Sequence, residues 1–181
     1  LGLSVSFLLE PLFGWVALGY VTLMLAYSLV LKRLVLLDVF SISAGFVLRA
    51  VAGAAVLQAP ISPWLYTCTG LGALLIALAK RRSELVLAGP DAGRQRDTLD
   101  MYSTALLDQF IAIVAPSTLV AYTLYTFTAP NLPENHAMML TVPFVVYGLF
   151  RYIYLVHSRT LGESPEDILI ADAPLIVSIL L

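Results

Sequence analysis

Long apolar runs separated by short polar stretches divide the chain into segments of helical length. Five of these runs approach the roughly 20 residues that a membrane-crossing helix needs. They cover residues 12–31, 36–57, 63–79, 103–127 and 137–156. Shorter apolar runs at 1–9 and 173–181 are predicted to be parts of further helices. The pattern therefore predicts an all-α, polytopic transmembrane bundle.

The composition strengthens this prediction. Of the 181 residues, 60% are hydrophobic and 12% are charged, whereas a soluble domain has about half apolar and a quarter charged residues. This balance excludes an ordinary soluble globule, a disordered chain and a nucleic-acid-binding module. Cys68 is the single cysteine, which excludes a disulfide framework and a cysteine-based zinc site. What remains is an integral membrane protein with room for about six spans.

The basic residues are concentrated on one side of the predicted membrane. Eight of the ten lie in three alternate loops: Lys32, Arg33, Lys80, Arg81, Arg82, Arg94, Arg96 and Arg159. The loops between them, near residues 10, 58–62 and 128–136, hold none. Because cytoplasmic loops carry an excess of lysine and arginine, the three basic loops are predicted to face the cytoplasm of a multi-pass protein.

Two charged residues, Asp38 and Arg49, fall within one predicted span. Eleven residues at about 100° each bring both onto one helix face, about 16 Å apart along the axis. Charged residues in a span are expensive and usually face the bundle interior. We therefore expect Arg49 to point into a cavity that holds an anion, such as a ligand phosphate. The alternative partners are a carboxylate on a neighbouring helix or backbone carbonyls.

Basic residues also cluster at the end of the apolar run 63–79. Lys80 and Glu84 are four residues apart and share a helix face, and Arg81 is three residues from Glu84. Guanidinium and ammonium groups at a membrane-facing mouth suit a phosphorylated ligand. An ordinary ion pair with solvated positive charges is the alternative, although it requires only one of the basic residues Lys80, Arg81 and Arg82.

Tyrosines accompany these charges. Tyr27 lies about one turn before the end of its predicted helix, Lys32 lies just beyond that end, and Asp38 follows. Together they could line the mouth of a cavity, although Lys32 alone is more typical of a signal that ends a span. Tyr102 opens the span after the polar stretch, where an interfacial aromatic residue is the alternative interpretation.

The remaining polar residues near span ends have simple explanations. Snorkelling to the membrane surface accounts for Arg151, and His157 next to the end of its span is interpreted as solvated. The sequence contains no His/Cys cluster, P-loop, nucleophile elbow or dinucleotide fingerprint.

Five sequence blocks resemble the UbiA superfamily of intramembrane prenyltransferases and, more narrowly, the decaprenyl-phosphate phosphoribosyltransferases. The blocks are Tyr27-Ser28 with Leu31-Lys32, the LDVF…GFVLRAVAGA stretch at 37–54, KRRSEL at 80–85, Tyr102-Ser103, and Glu166-Asp167 with Asp172-Ala173-Pro174-Leu175. They occur in order over essentially the whole chain. The basic KRRSEL run stands where ordinary members of the superfamily carry a second Asp-rich motif, which argues against the branch that prenylates aromatic acceptors.

The resemblance implies a bundle of about nine spans of ~20 residues around a cavity open to the cytoplasm, in a bacterial inner membrane. There, phosphoribosyl pyrophosphate and a polyprenyl phosphate would react to give a precursor of the arabinose donor for cell-wall synthesis. Pyrophosphate would be released, with Mg²⁺ as cofactor. The implied phosphate-binding residues are Lys80, Arg81, Arg82, Arg49 and Tyr102, with Glu84 orienting the basic groups. The implied catalytic residues are Asp38, Lys32 and Tyr27.

The chain departs from the family pattern in two places. The first Asp-rich motif, which holds Mg²⁺ and pyrophosphate, is missing. We therefore expect residues 1–181 to be one UbiA-like domain incomplete at both ends and inactive alone, with unidentified metal ligands. Ala173 also stands where the family often has arginine. The alternatives are a UbiA enzyme with an aromatic or other acceptor, and a non-catalytic subunit or transporter; a homo-oligomer stays open.

Overall fold

The computed structural model describes residues 2–58, 62–88, 98–129, 132, 135–158 and 171–180. Seven α-helices lie in these ranges: α1 Gly2–Leu9, α2 Pro11–Leu29, α3 Leu37–Leu57, α4 Pro63–Ala88, α5 Thr104–Thr128, α6 Val142–Ser158 and α7 Ala173–Leu180. Short 3-10 turns cover Leu31–Arg33, Leu99–Met101 and Ala137–Thr141. Within the described ranges there is no β-strand, so the predicted all-α fold is confirmed.

Local sequence signals explain several helix ends. Pro11 opens α2, where its fixed φ angle suits the first turn and its missing N–H has no helical partner to lose. Ser103 precedes α5, and its hydroxyl accepts a hydrogen bond from the Leu106 amide. Asp172 precedes α7, and its Oδ1 accepts a hydrogen bond from the Leu175 amide at 3.0 Å. These caps place α5 and α7 immediately after the polar stretches.

Helix α4 is longer than the hydrophobic pattern predicts. The apolar run ends at residue 79, but the helix continues to Ala88. Lysine, arginine, glutamate and leucine are good helix formers, so the charges end the apolar segment without ending the helix. Lys80, Arg81, Arg82 and Glu84 therefore project from a regular helix.

The helices pack in chain order, with each one against the next. The buried core is centred on α4, where Leu74 and Leu78 pack with Leu107 and Ile111 of α5. A polar contact joins α3 to α4, because the Ser43 hydroxyl donates to the Gly70 carbonyl at 2.6 Å. The core thus fixes the relative positions of α3, α4 and α5.

The outer surface of the bundle is apolar. Within the described residues, four segments are long and apolar enough to cross a membrane: Pro11–Leu29, Leu37–Leu57, Thr104–Thr128 and Ala137–Ser158. Large hydrophobic side chains along them are exposed, including Trp15, Phe46 and Phe150. A lipid environment accounts for this exposure, and the predicted polytopic bundle is confirmed. The total of about nine spans stays a prediction.

One end of the bundle carries most of the described charged side chains. Helices α2, α4 and α6 finish there, and α3 and α5 begin there. We call it the charged end. Five residues of the sequence analysis, Arg94, Arg96, Arg159, Glu166 and Asp167, lie outside the described residues.

Candidate functional site

A buried polar cluster lies at the charged end, where three segments distant in sequence meet. It consists of Asp38 from the first turn of α3, Arg81 from α4 and Tyr102 from the residues just before α5. Asp38 is 0% exposed, Arg81 2% and Tyr102 5%. We call these three residues the Asp38 cluster. Charged groups are rarely this deeply buried unless they are paired.

Hydrogen bonds and charge hold the Asp38 cluster together. The Tyr102 hydroxyl donates to Asp38 Oδ1 at 2.9 Å, and Arg81 Nε lies 3.6 Å from Asp38 Oδ2. Arg81 Nη1 also donates to Glu84 Oε2, one turn further along α4. The guanidinium of Arg81 is therefore shared by two carboxylates, and the orienting role of Glu84 stays a prediction.

Tyr102 also supports an unusual backbone turn. Leu36 has φ = 67°, a left-handed value that is uncommon for a residue with a branched side chain. The Leu36 amide donates to the Tyr102 hydroxyl at 2.8 Å. One hydroxyl thus holds both the turn before α3 and the carboxylate at its start.

The surroundings of Tyr102 keep its hydroxyl protonated. Burial raises the pKa of Tyr102 to about 12, and the neighbouring Asp38 carboxylate adds to the rise. The Leu36 amide and the Arg81 charge oppose it only in part. Tyr102 therefore remains a hydrogen-bond donor to Asp38 at neutral pH.

A second polar cluster joins α4, α5 and α6. Arg82 Nε donates to Asp108 Oδ1 at 2.5 Å, and His157 Nε2 lies 3.1 Å from the same oxygen. Arg82 Nη1 reaches the Val156 carbonyl oxygen at 3.4 Å. We call Arg82, Asp108 and His157 the Asp108 cluster. Asp108 is not among the residues predicted from the sequence, although an acidic residue in the second turn of an apolar span is a usable signal.

The structure also pairs Arg151, for which snorkelling had been the explanation. Its Nε and Nη2 donate to the two oxygens of Asp172 at 3.1 and 2.9 Å. This forked pairing connects α6 to the start of α7. Asp172 belongs to the last of the five sequence blocks. Its pairing with Arg151, 21 residues away, could not be predicted from sequence spacing.

Three further predicted residues lie at the charged end. Lys80 is half-buried on α4 next to Arg81, and Tyr27 is half-buried near the end of α2. Lys32 is exposed in the 3-10 turn between α2 and α3. They share the end of the bundle with both clusters, and their role at a cavity mouth stays a prediction.

Arg49 lies apart from this group. It is exposed, its Nε donates to the Gly45 carbonyl at 3.3 Å, and its guanidinium covers the Phe46 ring at 4.2 Å. It borders a cavity of about 360 Å³ between α1, α2 and α3. Among the described residues it contacts a backbone carbonyl and aromatic rings. The structure does not bring it to the phosphate-binding candidates on α4.

The described residues do not by themselves form a metal site. Within those ranges no three His, Cys, Asp or Glu side chains converge. Asp38, the acidic residue proposed for the site, is engaged by Tyr102 and Arg81. The described residues alone therefore do not make up a site for the Mg²⁺ ion that the family resemblance implies, and Mg²⁺ stays a prediction.

Comparison with known proteins supports the resemblance. The chain is 27% identical over 170 residues to a decaprenyl-phosphate phosphoribosyltransferase of Mycobacterium tuberculosis, covering 94% of the chain and 56% of the relative. The chain is also 30% identical over 164 residues to a protein of the same name from Mycolicibacterium smegmatis, covering 84% of the chain and 50% of the relative. A third protein of that name, from Corynebacterium glutamicum, is 26% identical over 156 residues, covering 84% of the chain and 46% of the relative. No family profile matches the chain.

The chain spans about half the length of the curated relatives it matches. The resemblance noted from the five sequence blocks is confirmed over most of the chain.

Proposed function

We propose that the protein is an intramembrane phosphoribosyltransferase that transfers a phosphoribosyl group from phosphoribosyl pyrophosphate to a polyprenyl phosphate. One observation carries this proposal. Asp38, Arg81 and Tyr102 come from three of the sequence blocks that resemble the family, and they form one buried cluster. The names of the relatives supply the substrate class, decaprenyl phosphate.

The proposed reaction is a substitution at the anomeric carbon of the sugar. An oxygen of the lipid phosphate forms a bond to this carbon, while the bond from the carbon to the pyrophosphate oxygen breaks. Pyrophosphate leaves with the electron pair of that bond. The lipid phosphate is already ionised at neutral pH, so no general base is needed. The main requirement is neutralisation of negative charge on both substrates and on the leaving group.

The structure suggests a division of labour among the basic residues. Lys80 and Arg82 are only partly buried on α4 and are assigned to phosphate binding. Arg81 is held by Asp38 and Glu84, so we assign Asp38 to positioning Arg81 and not to touching the substrate. Tyr27 and Lys32 line the mouth of the site in this proposal.

The setting of the reaction is also proposed. The excess of lysine and arginine in the loops at the charged end supports a cytoplasmic orientation of that end. We assign the protein to a bacterial inner membrane, with the water-soluble phosphoribosyl pyrophosphate supplied from the cytoplasm. The product would serve as a precursor of the arabinose donor for the cell wall. Mg²⁺ would neutralise pyrophosphate when bound, and the described residues alone supply no complete set of ligands for it.

The direct test supplies labelled phosphoribosyl pyrophosphate and decaprenyl phosphate to membranes that contain the protein, expressed from its full natural coding sequence. We expect label in the lipid fraction and release of pyrophosphate. A parallel reaction receives a polyprenyl pyrophosphate and an aromatic acid. Prenylation of the aromatic acid without phosphoribosyl transfer would establish the alternative UbiA chemistry, and inactivity in both reactions would favour a non-catalytic subunit or transporter.

The phosphate-binding assignment has its own test. Replacing Arg82 with alanine should lower kcat/KM at least tenfold, because a charge-assisted hydrogen bond to phosphate is lost. Arg33→Ala is the matched control, since Arg33 is an exposed arginine in the 3-10 turn at the same end. Equal activity of the Arg82 and Arg33 variants would contradict the assignment.

A further inference from the structure

The Asp108 cluster contains two groups that the proposed reaction does not use. Asp108 lies in the second turn of α5, and His157 lies at the end of α6. Asp108 contacts Arg82 directly, and His157 contacts the Asp108 carboxylate. Three helices therefore converge on one guanidinium, which is assigned above to phosphate binding.

Two contacts from different helices restrain Arg82. Asp108 Oδ1 accepts from its Nε at 2.5 Å, and the Val156 carbonyl accepts from its Nη1 at 3.4 Å. Nη2 of Arg82 makes no hydrogen bond to any described residue. The side chain of Arg82 is 14% exposed. Contacts from α5 and α6 thus hold two of the three guanidinium nitrogens, and in this inference Nη2 is the nitrogen that meets the ligand.

His157 restrains the carboxylate in turn. Its Nε2 lies 3.1 Å from Asp108 Oδ1, the same oxygen that accepts from Arg82. A carboxylate oxygen has lone pairs for more than one donor. Asp108 therefore has one contact on α4 and another on α6, and rotation of its side chain would break one of them.

We propose that Asp108 is a positioning residue for Arg82: it holds the guanidinium in the orientation that binds a phosphate group of phosphoribosyl pyrophosphate. This inference rests on the proposed function. An arginine side chain has several rotatable bonds, and fixing it before the substrate arrives removes part of the entropy lost on binding. Asp108 should therefore affect substrate binding more than the chemical step.

The test measures kcat and KM for phosphoribosyl pyrophosphate in membranes containing the full protein at saturating decaprenyl phosphate. Asp108→Asn should raise KM about tenfold, the effect of one charge-assisted hydrogen bond, with kcat nearly unchanged. Asp100→Asn is the matched control, because Asp100 is an exposed acidic residue in the 3-10 turn before α5. An unchanged KM in Asp108→Asn would overturn the proposal.

A double-mutant cycle separates positioning from a general structural effect. If Asp108 acts through Arg82, then the double variant Asp108→Asn/Arg82→Ala should have the same KM as Arg82→Ala alone. Additive effects on KM would overturn the proposal. Asp108→Glu retains the charge and should return KM to within about threefold of the original value. If Asp108→Asn does not accumulate, the same cycle is run with Asp108→Ser, which also removes the carboxylate.

Different results would contradict the proposed function and the positioning role of Asp108. If the unaltered protein transfers no phosphoribosyl group, the proposed function is wrong. If it is active but the Asp108 and Arg82 effects add, the function stands and the positioning role is wrong.

Discussion

Asp38 and Arg81 are charged residues that are almost completely shielded from solvent. Removing one partner of such a pair costs about 3–5 kcal/mol, because the other charge is left buried. Loss of activity in an Arg81 variant would therefore report folding as much as phosphate binding. Arg82, which is less buried, is the better residue for testing the chemistry.

The Tyr102 hydroxyl should contribute to stability through its two hydrogen bonds. In Tyr102→Phe the Leu36 amide loses its acceptor and Asp38 loses a donor. An unsatisfied buried polar group costs about 1–3 kcal/mol. We expect a melting temperature several degrees lower for the detergent-solubilised protein.

Tyr154→Phe is the control for this change, because Tyr154 is an exposed tyrosine on α6. Equal melting temperatures for the two variants would show that the Tyr102 hydroxyl does not hold the cluster.

The raised pKa of Tyr102 predicts a late titration. The pKa lies near 12 in the folded protein and near 10.0 for an ordinary tyrosine, so the folded state binds this proton more tightly. The resulting stabilisation is complete below pH 10 and is lost as the pH rises from 10 to 12. Tyrosinate absorbance of the original protein minus that of Tyr102→Phe should therefore rise near pH 12. A difference centred near pH 10 would show that Tyr102 is solvated.

At the scale of the elements, the end of α4 explains how adjacent arginines serve different clusters. Successive residues of a helix point about 100° apart. Arg81 therefore reaches Asp38 on α3, whereas Arg82 reaches Asp108 on α5. Had α4 ended at residue 79, the two side chains would have no fixed angle between them.

Gly148 lies where α6 packs against α7. A Cβ atom added at this position would lie 3.0 Å from Ser178 Oγ, closer than ordinary contact. Gly148→Val should therefore force the helices apart and cost about 1–3 kcal/mol, measured as a lower melting temperature in detergent.

Gly53→Val on α3 is the matched control, since a Cβ there meets no atom within 4 Å. It carries the same change in helix propensity. If both variants melt together, the contact between α6 and α7 is not tight.

At the scale of the whole molecule, apolar and charged side chains occupy different parts of the bundle surface. Apolar side chains cover the sides of the bundle, and both charged clusters lie at one end. The separation brings a charged lipid head group and a soluble phosphorylated sugar to the same end in the proposed reaction. It also makes the orientation in the membrane testable.

Cysteine labelling can determine that orientation. In a Cys68→Ala background, Asn135→Cys places a thiol on the exposed turn between α5 and α6, and Ser158→Cys places one at the charged end. A membrane-impermeant maleimide added to intact cells should label position 135 but not position 158. Opening the membranes should expose both. Labelling of position 158 alone in intact cells would mean that the charged end faces outward.

Much of the fold followed from the sequence, because the length and hydropathy of an apolar run are local properties. The predicted segment 36–57 begins one residue before α3 and ends with it. The predicted segment 103–127 begins and ends one residue before α5. The end of α4 was missed, since residues such as Lys80 and Glu84 can end a membrane span and still continue a helix.

The sequence by itself determined that the protein is an apolar helical bundle with its charges in a few polar stretches. It also identified Asp38, Arg81 and Tyr102 as candidates. Only the tertiary structure decided which charges meet. Asp38 and Tyr102 are 64 residues apart, and Arg82 and Asp108 are 26 apart. Their contacts depend on how α3, α4 and α5 pack, because no helical period relates residues on different helices.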